Sequence, residues 1–408
     1  MKKILTAAVA SALSFAAAGD ASRDCLLNLL NARAGESPRR YEEAAKTVAA
    51  EAAAGKILHR FVIALVSREP SAPPSAKLDA KTRDEYLSGG RRIIRNLALS
   101  KENPLAWYLL YIDNNDAKLL KRAADGDNVQ ALNELGTKTL APIAAKKRRS
   151  EAEVKKMREC FGFFSRAAGK DDANGFYNLG VCYLNGWGCR KDPAMALDYL
   201  SKAAAKEQPK AVNLLGEITR DGTIGDKDSV AATKYFSQCA MLGYPRGQFN
   251  YAMALLNGDG IEKNPQRAEQ LMKAAAASGI VEAMDAYASI LSSTGDGEEN
   301  AAARRHEAVA WWRHCAVDLK YPPSMDRLAA CFASGRGVER DDNAAAAWYR
   351  RAAEAGYVPA MLHIAEMFET GTGGVSKSHY NANWWKTRAR AAEGDRNASV
   401  WLATHKPE

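Results

Sequence analysis

Along most of the chain, apolar and small residues recur at helical rather than alternating spacing, and the helical pattern itself repeats. Each repeat opens a helix on a small residue, with an apolar residue four places on and Gly or Ala directly after it. The pairs are Leu135-Gly136, Leu179-Gly180, Leu215-Gly216, Tyr251-Ala252, Tyr287-Ala288, Leu328-Ala329, Ile364-Ala365 and Leu402-Ala403. Their second members stand 44, 36, 36, 36, 41, 36 and 38 residues apart, a period near 36. Glycine pairs follow most of these helices, at Gly186-Trp187-Gly188, Gly258-Asp259-Gly260, Gly335-Arg336-Gly337 and Gly371-Thr372-Gly373. Looser forms occur at Gly222 to Gly225 and at Gly295-Asp296-Gly297. A glycine just past a helix adopts the left-handed conformation that satisfies the last carbonyls, so each pair predicts a turn into a second helix. A phosphate-cradling loop would need a strand before its glycines, and every pair here follows a helix.

The second helix ends in a bulky pair ahead of small residues: Tyr199-Leu200, Tyr235-Phe236, Trp311-Trp312, Trp348-Tyr349 and Trp384-Trp385. Trp311, Trp348 and Trp384 fall in the slot of Tyr199, which predicts a shared core position rather than an exposed platform for glycans. Trp187, inside a glycine turn, is expected to be partly exposed. One such helix pair cannot bury its own apolar face, so neighbours must stack. The expected fold is therefore all-α, a right-handed α/α superhelix (solenoid) of helix–turn–helix repeats of about 36 residues, over residues 131–408. Residues 19–130 show no glycine turn at the right spacing. Amphipathic stretches at Leu26–Leu30, Tyr41–Leu65 and Arg91–Tyr111 predict a helical N-terminal region there, made of degenerate repeats or a cap. Glu69-Pro70 and Pro73-Pro74 interrupt it and predict a loop or linker near 68–80.

One copy carries a family resemblance most fully. It runs from Ala329 through Gly335-Arg336-Gly337-Val338, Asp341-Asp342 and Trp348-Tyr349 to Arg351-Ala352-Ala353-Glu354-Ala355-Gly356. This resembles the Sel-one-like repeat (SLR) family, a relative of the tetratricopeptide repeat, with good copies over roughly residues 170–403. The resemblance implies an α/α solenoid used for protein–protein interaction, often in exported bacterial proteins. It also leaves a rival class, an envelope enzyme hydrolysing β-lactam or cell-wall substrates at a site assembled across the groove.

Composition adds an address and a charge. Lys2 and Lys3 precede an apolar run from Ile4 to Ala18 that ends in small residues, as a signal peptide of residues 1–18 does. The expectation is an exported chain, periplasmic or extracellular, with no lipid anchor at Cys25 because Ser22-Arg23-Asp24 precedes it. No later apolar run is long enough to span a bilayer. Loss of the two signal lysines takes the formal charge from +9 to +7. Basic clusters stand at Lys146-Lys147-Arg148-Arg149 with Lys155 and Lys156, and at Arg91, Arg92 and Arg95. The expected partner is another protein, or an acidic surface or glycan of the envelope or host, and not nucleic acid.

Catalytic chemistry is not written in motifs. Gly-x-Ser-x-Gly, Ser-x-x-Lys, His-Glu-x-x-His and phosphate-loop patterns are missing, and six scattered histidines lack ligand spacing, so no enzyme, cofactor or metal site is expected. Seven cysteines in an exported chain leave at least one unpaired. Cys160 and Cys182 reach similar heights on adjoining antiparallel helices and form a candidate disulfide; Cys182 with Cys189 competes with it. Counting from the small residue that opens each first helix, offsets 0, 1, 4, 5 and 8 share one apolar arc, and offsets 2, 3 and 6 face outward. That outward row, the expected partner-binding groove, holds Tyr177, Asn178, Asn213, Glu217, Phe249, Asn250, Asp285, Asp326, Arg327, His363 and Glu366. Tyr177 and Phe249 are its natural anchors.

Overall fold

The computed structural model describes residue 29 and residues 38–54, 57–69, 72–101, 103–295, 297 and 300–407. The expected signal segment, residues 1–18, and Cys25 lie outside the described residues. Among those described there are twenty α-helices, one short 3-10 turn at Pro74–Ala76 and no strand. The same chemistry starts and stops most of the repeat helices, although Ser378 caps His379–Ala392 and the pair Val281–Ser292 and Ala301–Val317 departs from it. Four second helices open behind Asp192, Asp228, Asn264 or Asp341, whose carboxylate or amide oxygen accepts from a first-turn N–H, as Asp192 does from Met195 at 3.0 Å and Asp341 from Ala344 at 2.9 Å. First helices stop at a left-handed glycine, Gly186, Gly222, Gly258, Gly335 or Gly371, whose N–H closes on the carbonyl four residues back.

Packing divides the chain into two compact units. The first holds residues up to Ala254 together with Gly258–Glu262, and the second holds Leu255–Asn257 and residues from Lys263 on. In both, consecutive helices pack in pairs: Ala173–Asn185 with Pro193–Ala205 and Pro209–Asp221 with Ser229–Met241 in the first, Pro322–Ser334 with Asp342–Glu354 in the second. A Cβ on Gly180 would lie 2.7 Å from Leu200, and one on Gly216 would lie 2.5 Å from the Phe236 ring. The Leu-Gly signature is thus a seat for the second helix. Leu200, Phe236, Trp312, Tyr349 and Trp385 are the buried members of the bulky pairs. Trp311, Trp348 and Trp384, expected in the core, are only half-buried. The register is one residue off because the apolar arc of the second helix centres on the later member; the earlier one packs at the edge, as Trp311 does against Tyr287 at 6.0 Å.

The second glycine of the turn has a separate duty. A Cβ on Gly188 would stand 2.2 Å from the Met157 carbonyl oxygen, and one on Gly260 would stand 2.3 Å from that of Ser229. Met157 and Ser229 belong to the second helix of the preceding pair. At these two positions the turn leans directly on its neighbour's backbone, and only a hydrogen fits.

The N-terminal helices Pro38–Ala53, Ile57–Val66, Ala80–Lys101, Pro104–Asn114 and Ala117–Asp125 share one apolar core that extends to Leu132 and Ala167. The expected single helix over Arg91–Tyr111 is two helices. Pro104 cannot continue the first, and Asn103 caps the second through its bond from Ala106 N at 3.1 Å. Described residues between 68 and 80 are docked rather than free: Ala72 and Ala76 are buried, Ser75 Oγ donates to Glu42 at 3.1 Å, and Ser67 Oγ accepts from Leu78 N at 2.9 Å. Arg68 and Arg91 converge on the buried Asp113 carboxylate at 2.9 and 2.7 Å.

Candidate functional site

The row expected to face outward is instead where neighbouring first helices meet. Offset 2 of one repeat bonds to offset 3 of the next at four junctions. Asn178 Nδ2 donates to Asn133 Oδ1 at 3.1 Å and Asn250 Nδ2 to Asn213 Oδ1 at 2.9 Å, both in the first unit. In the second unit Arg327 Nε donates to Asp285 Oδ2 at 3.1 Å, and His363 Nδ1 lies 2.9 Å from Asp326 Oδ1. Glu217 completes one rung by accepting from Asn213 at 3.0 Å, and Ser324 completes another by donating to Asp285 at 2.7 Å.

Three residues therefore leave the expected exposed set. Asn213, Asn250 and Asp285 are each about 6% exposed. On the helical wheel offsets 2 and 3 border the apolar arc on its two sides, where the adjacent repeats cover them. Offset 7, occupied by Cys182, Ile218, Ala254 and Cys331, also turns out buried. Tyr177, Asn178, Glu217, Phe249, Asp326 and His363 are half-buried, and Arg327 and Glu366 are exposed. Phe249 packs under the Arg246 guanidinium at 5.3 Å, and His363 lies 4.7 Å from the Tyr349 ring.

Beside Asn178 the first unit opens into a cavity of about 650 Å³ whose walls include Tyr108, Asn133, Glu134, Lys138, Tyr177 and Asn178. Its electrostatic centre is Glu134, which accepts from Tyr108 at 2.9 Å and Tyr111 at 2.5 Å and pairs with Lys138 at 3.0 Å. Burial pushes the Glu134 carboxyl up, but the bonds from Tyr111, Lys138 and Tyr108 outweigh it and hold the group below its ordinary value. The site thus carries a fixed, fully ligated carboxylate and an ammonium beside it. Of this wall, the repeat pattern marks Tyr177 and Asn178 and leaves the other residues unmarked. Asn133 was legible: it is offset 2 of the repeat opened by Ala131. Tyr108 and Tyr111, outside the repeat pattern, carried no signal.

In the second unit, the hydrogen bond to Asp326 raises His363 above its ordinary value of 6.5 despite partial burial. A raised folded value means that this pair's contribution is full below about pH 6.5 and fades as pH rises through the folded value. The side chain is half open to solvent, so the effect on stability is small. The expected result is an NMR titration midpoint for His363 above 6.5 that falls in Asp326→Asn. An unchanged midpoint would show that the carboxylate does not hold the imidazole.

The six described cysteines are free thiols, so neither the Cys160–Cys182 nor the Cys182–Cys189 bridge is formed in this structure. Cys160 and Cys182 sit in one apolar cluster with Cys189 packed against it, where thiols serve as small apolar groups. Burial pushes Cys160 up to about 11 and Cys182 up to about 12. Of the basic clusters, Arg91 is spent on Asp113, Arg149 bonds the Ala144 carbonyl at 2.7 Å, and Lys146 pairs with Glu153 at 2.5 Å. Lys147, Arg148, Lys155 and Lys156 remain exposed. No group of three or more His, Cys, Asp or Glu among the described residues is placed to hold a metal ion, and no described helix is long and apolar enough to cross a membrane.

Comparison with known proteins gives the repeat a family. The Sel1 repeat matches residues 177–207, 209–244, 245–280, 322–357 and 358–392. The helix pair Val281–Ser292 and Ala301–Val317 fills the interval left unmatched. The protective antigen of uropathogenic Escherichia coli strains, which displays an SLR fold, is similar over 93% of this chain and 91% of its own at 18% identity and a TM-score of 0.57. A Sel1 repeat protein from Oxalobacter formigenes is similar over 93% of each chain at 23% identity and a TM-score of 0.50.

Proposed function

Because the chain is built on Sel1 repeats, a module that generally mediates protein–protein interaction, we propose that it is an exported, non-catalytic scaffold that captures a protein through the face of its first helices. The observation that carries this reading is the open cavity of about 650 Å³ on that face, lined by Tyr177 and Asn178 within a mixed apolar and polar wall. Phe249 extends the half-buried aromatic row two repeats further on. Four exposed cations at Lys147, Arg148, Lys155 and Lys156, with the positive formal charge, favour a partner with an acidic surface. Export rests on the residues 1–18 pattern and is tested by the intact mass of the envelope or extracellular fraction, where a retained Met1 would refute it.

The binding test compares the wild type with Tyr177→Ala/Phe249→Ala as bait for envelope or host-surface protein. Asn250 is left in place because its removal would take the donor from the buried Asn213 Oδ1. The expected outcome is at least about a tenfold loss of captured partner with the helical circular dichroism signal intact. Equal capture by the folded double variant would overturn the reading.

A further inference from the structure

The cavity beside Asn178 is polarised along the helices that build it. Val129–Ala144 and Ala173–Asn185 run parallel, because each packs antiparallel to the intervening helix Glu151–Gly169. On the first, the lining passes from Gln130 and Asn133 to Ala141 and Ala144. On the second, it passes from Asn174 and Asn178 to Val181, with Trp187 of the glycine turn beyond. One end is therefore a polar rim of carboxamides, joined by Gln208 and Lys210, and the other is an apolar wall.

Resting on the scaffold reading above, we propose that this cavity seats one large apolar side chain, aromatic or leucine-like, of an extended peptide segment whose main-chain amides bond to the carboxamide rim. Asn133 is bonded to Asn178 and Asp172, and Gln208 to Asn174 and the Ala211 N–H, so the rim's donor to a peptide carbonyl is Asn174 Nδ2. Asn178 spends one Nδ2 hydrogen on Asn133, which leaves its Oδ1 as an acceptor at the rim. Glu134 and Lys138 are already satisfied by each other and by Tyr108 and Tyr111, so they set the wall's shape without demanding a charged ligand. The volume of about 650 Å³ holds such a side chain with its flanking main chain. An oligosaccharide fits less well: it carries hydroxyls on every edge, and Leu140, Ala141, Ala144 and Val181 offer no side-chain group to receive them.

The test uses fluorescence anisotropy of the whole chain with fluorescein-labelled nonapeptides of glycine and serine that carry one central Phe, Leu or Ala. The Phe and Leu peptides should bind about tenfold or more tighter than the Ala peptide, as burial of a large apolar side chain implies. Ala141→Trp, at an exposed helical position, fills the cavity and should erase that preference; Val181→Phe fills it from the opposite wall and should do the same. Asn178→Ala should weaken all three peptides several-fold without changing their ranking. The proposal is overturned if the three wild-type affinities are equal, if the preference survives both filling variants, or if N-acetylglucosamine oligomers bind at this cavity and the peptides do not. Equal peptide affinities alongside partner capture that depends on Tyr177 and Phe249 would sink the cavity proposal alone. A clear peptide preference with capture indifferent to those residues would sink the scaffold reading alone.

Discussion

Gly188→Ala should lower the urea midpoint of the chain far more than Gly186→Ala, although the two glycines share one turn. Both hold φ near +70°, at 75° and 70°, so alanine at either meets the left-handed penalty of roughly 1–2 kcal/mol. At Gly186 little else happens, since an added Cβ would find its nearest atom at an ordinary 3.4 Å. At Gly188 the same atom would stand 2.2 Å from the Met157 carbonyl oxygen, and a helix backbone cannot swing aside as a side chain can. Overpacking of that kind adds about 1–3 kcal/mol, bringing the total for Gly188→Ala to about 2–5 kcal/mol. Urea unfolding followed by circular dichroism decides the matter. If the two variants shift the midpoint equally, the second glycine serves only its turn and the contact with the preceding helix carries no weight.

The second large effect is expected where Arg68 and Arg91 hold Asp113. The Asp113 side chain is 1% exposed, whereas the two arginine side chains are 44% and 46% exposed, so removing the arginines mainly strips the carboxylate of its partners. Arg68→Met/Arg91→Met should cost about 3 kcal/mol, because a buried carboxylate without a counter-charge is far more costly than a lost surface pair. Either single variant should cost less than half of that, since one guanidinium remains. Adding Asp113→Leu to the double variant should recover much of the loss by replacing a stranded charge with an apolar side chain. Urea midpoints of the wild type and the four variants make the comparison, and a triple variant no more stable than the double would mean that the damage lies elsewhere.

Fold class was legible because it is written redundantly. The Leu-Gly seat, the left-handed glycine and the aspartate cap each recur at one period, and each follows from backbone rules that need no knowledge of the neighbour. The binding row was only partly legible, for a physical reason. A helical wheel reports the angle of Asn213 or Asp285 about its own axis, but burial at those angles is decided by the helix alongside, whose side chains come from the next repeat. The bulky pairs came out one residue off for a different reason: the slot that Trp311 shares with Tyr199 marks a position that recurs, not the side of the helix that faces inward, which is that of Trp312. Tyr108 and Tyr111, which complete the Glu134 cluster, come from the N-terminal region where no period exists to align them. The glycine of Gly-x-Gly that touches the preceding helix looked like turn chemistry alone, since the sequence around Gly188 says nothing of Met157.

The offset 2 to offset 3 rungs give the array a grammar. Their halves lie 45, 37, 42 and 37 residues apart, so every rung is shared between two consecutive repeats and belongs to neither. The vocabulary changes from joint to joint: amide with amide at Asn133–Asn178 and Asn213–Asn250, acid with base at Asp285–Arg327 and Asp326–His363. Of the repeats these rungs join, only that on Pro322–Ser334 carries halves of two, Arg327 toward the repeat before it and Asp326 toward the one after, so the acid–base rungs run on through three consecutive repeats. The two kinds of joint are thus not interchangeable, since an aspartate set opposite an asparagine would lose its counter-charge.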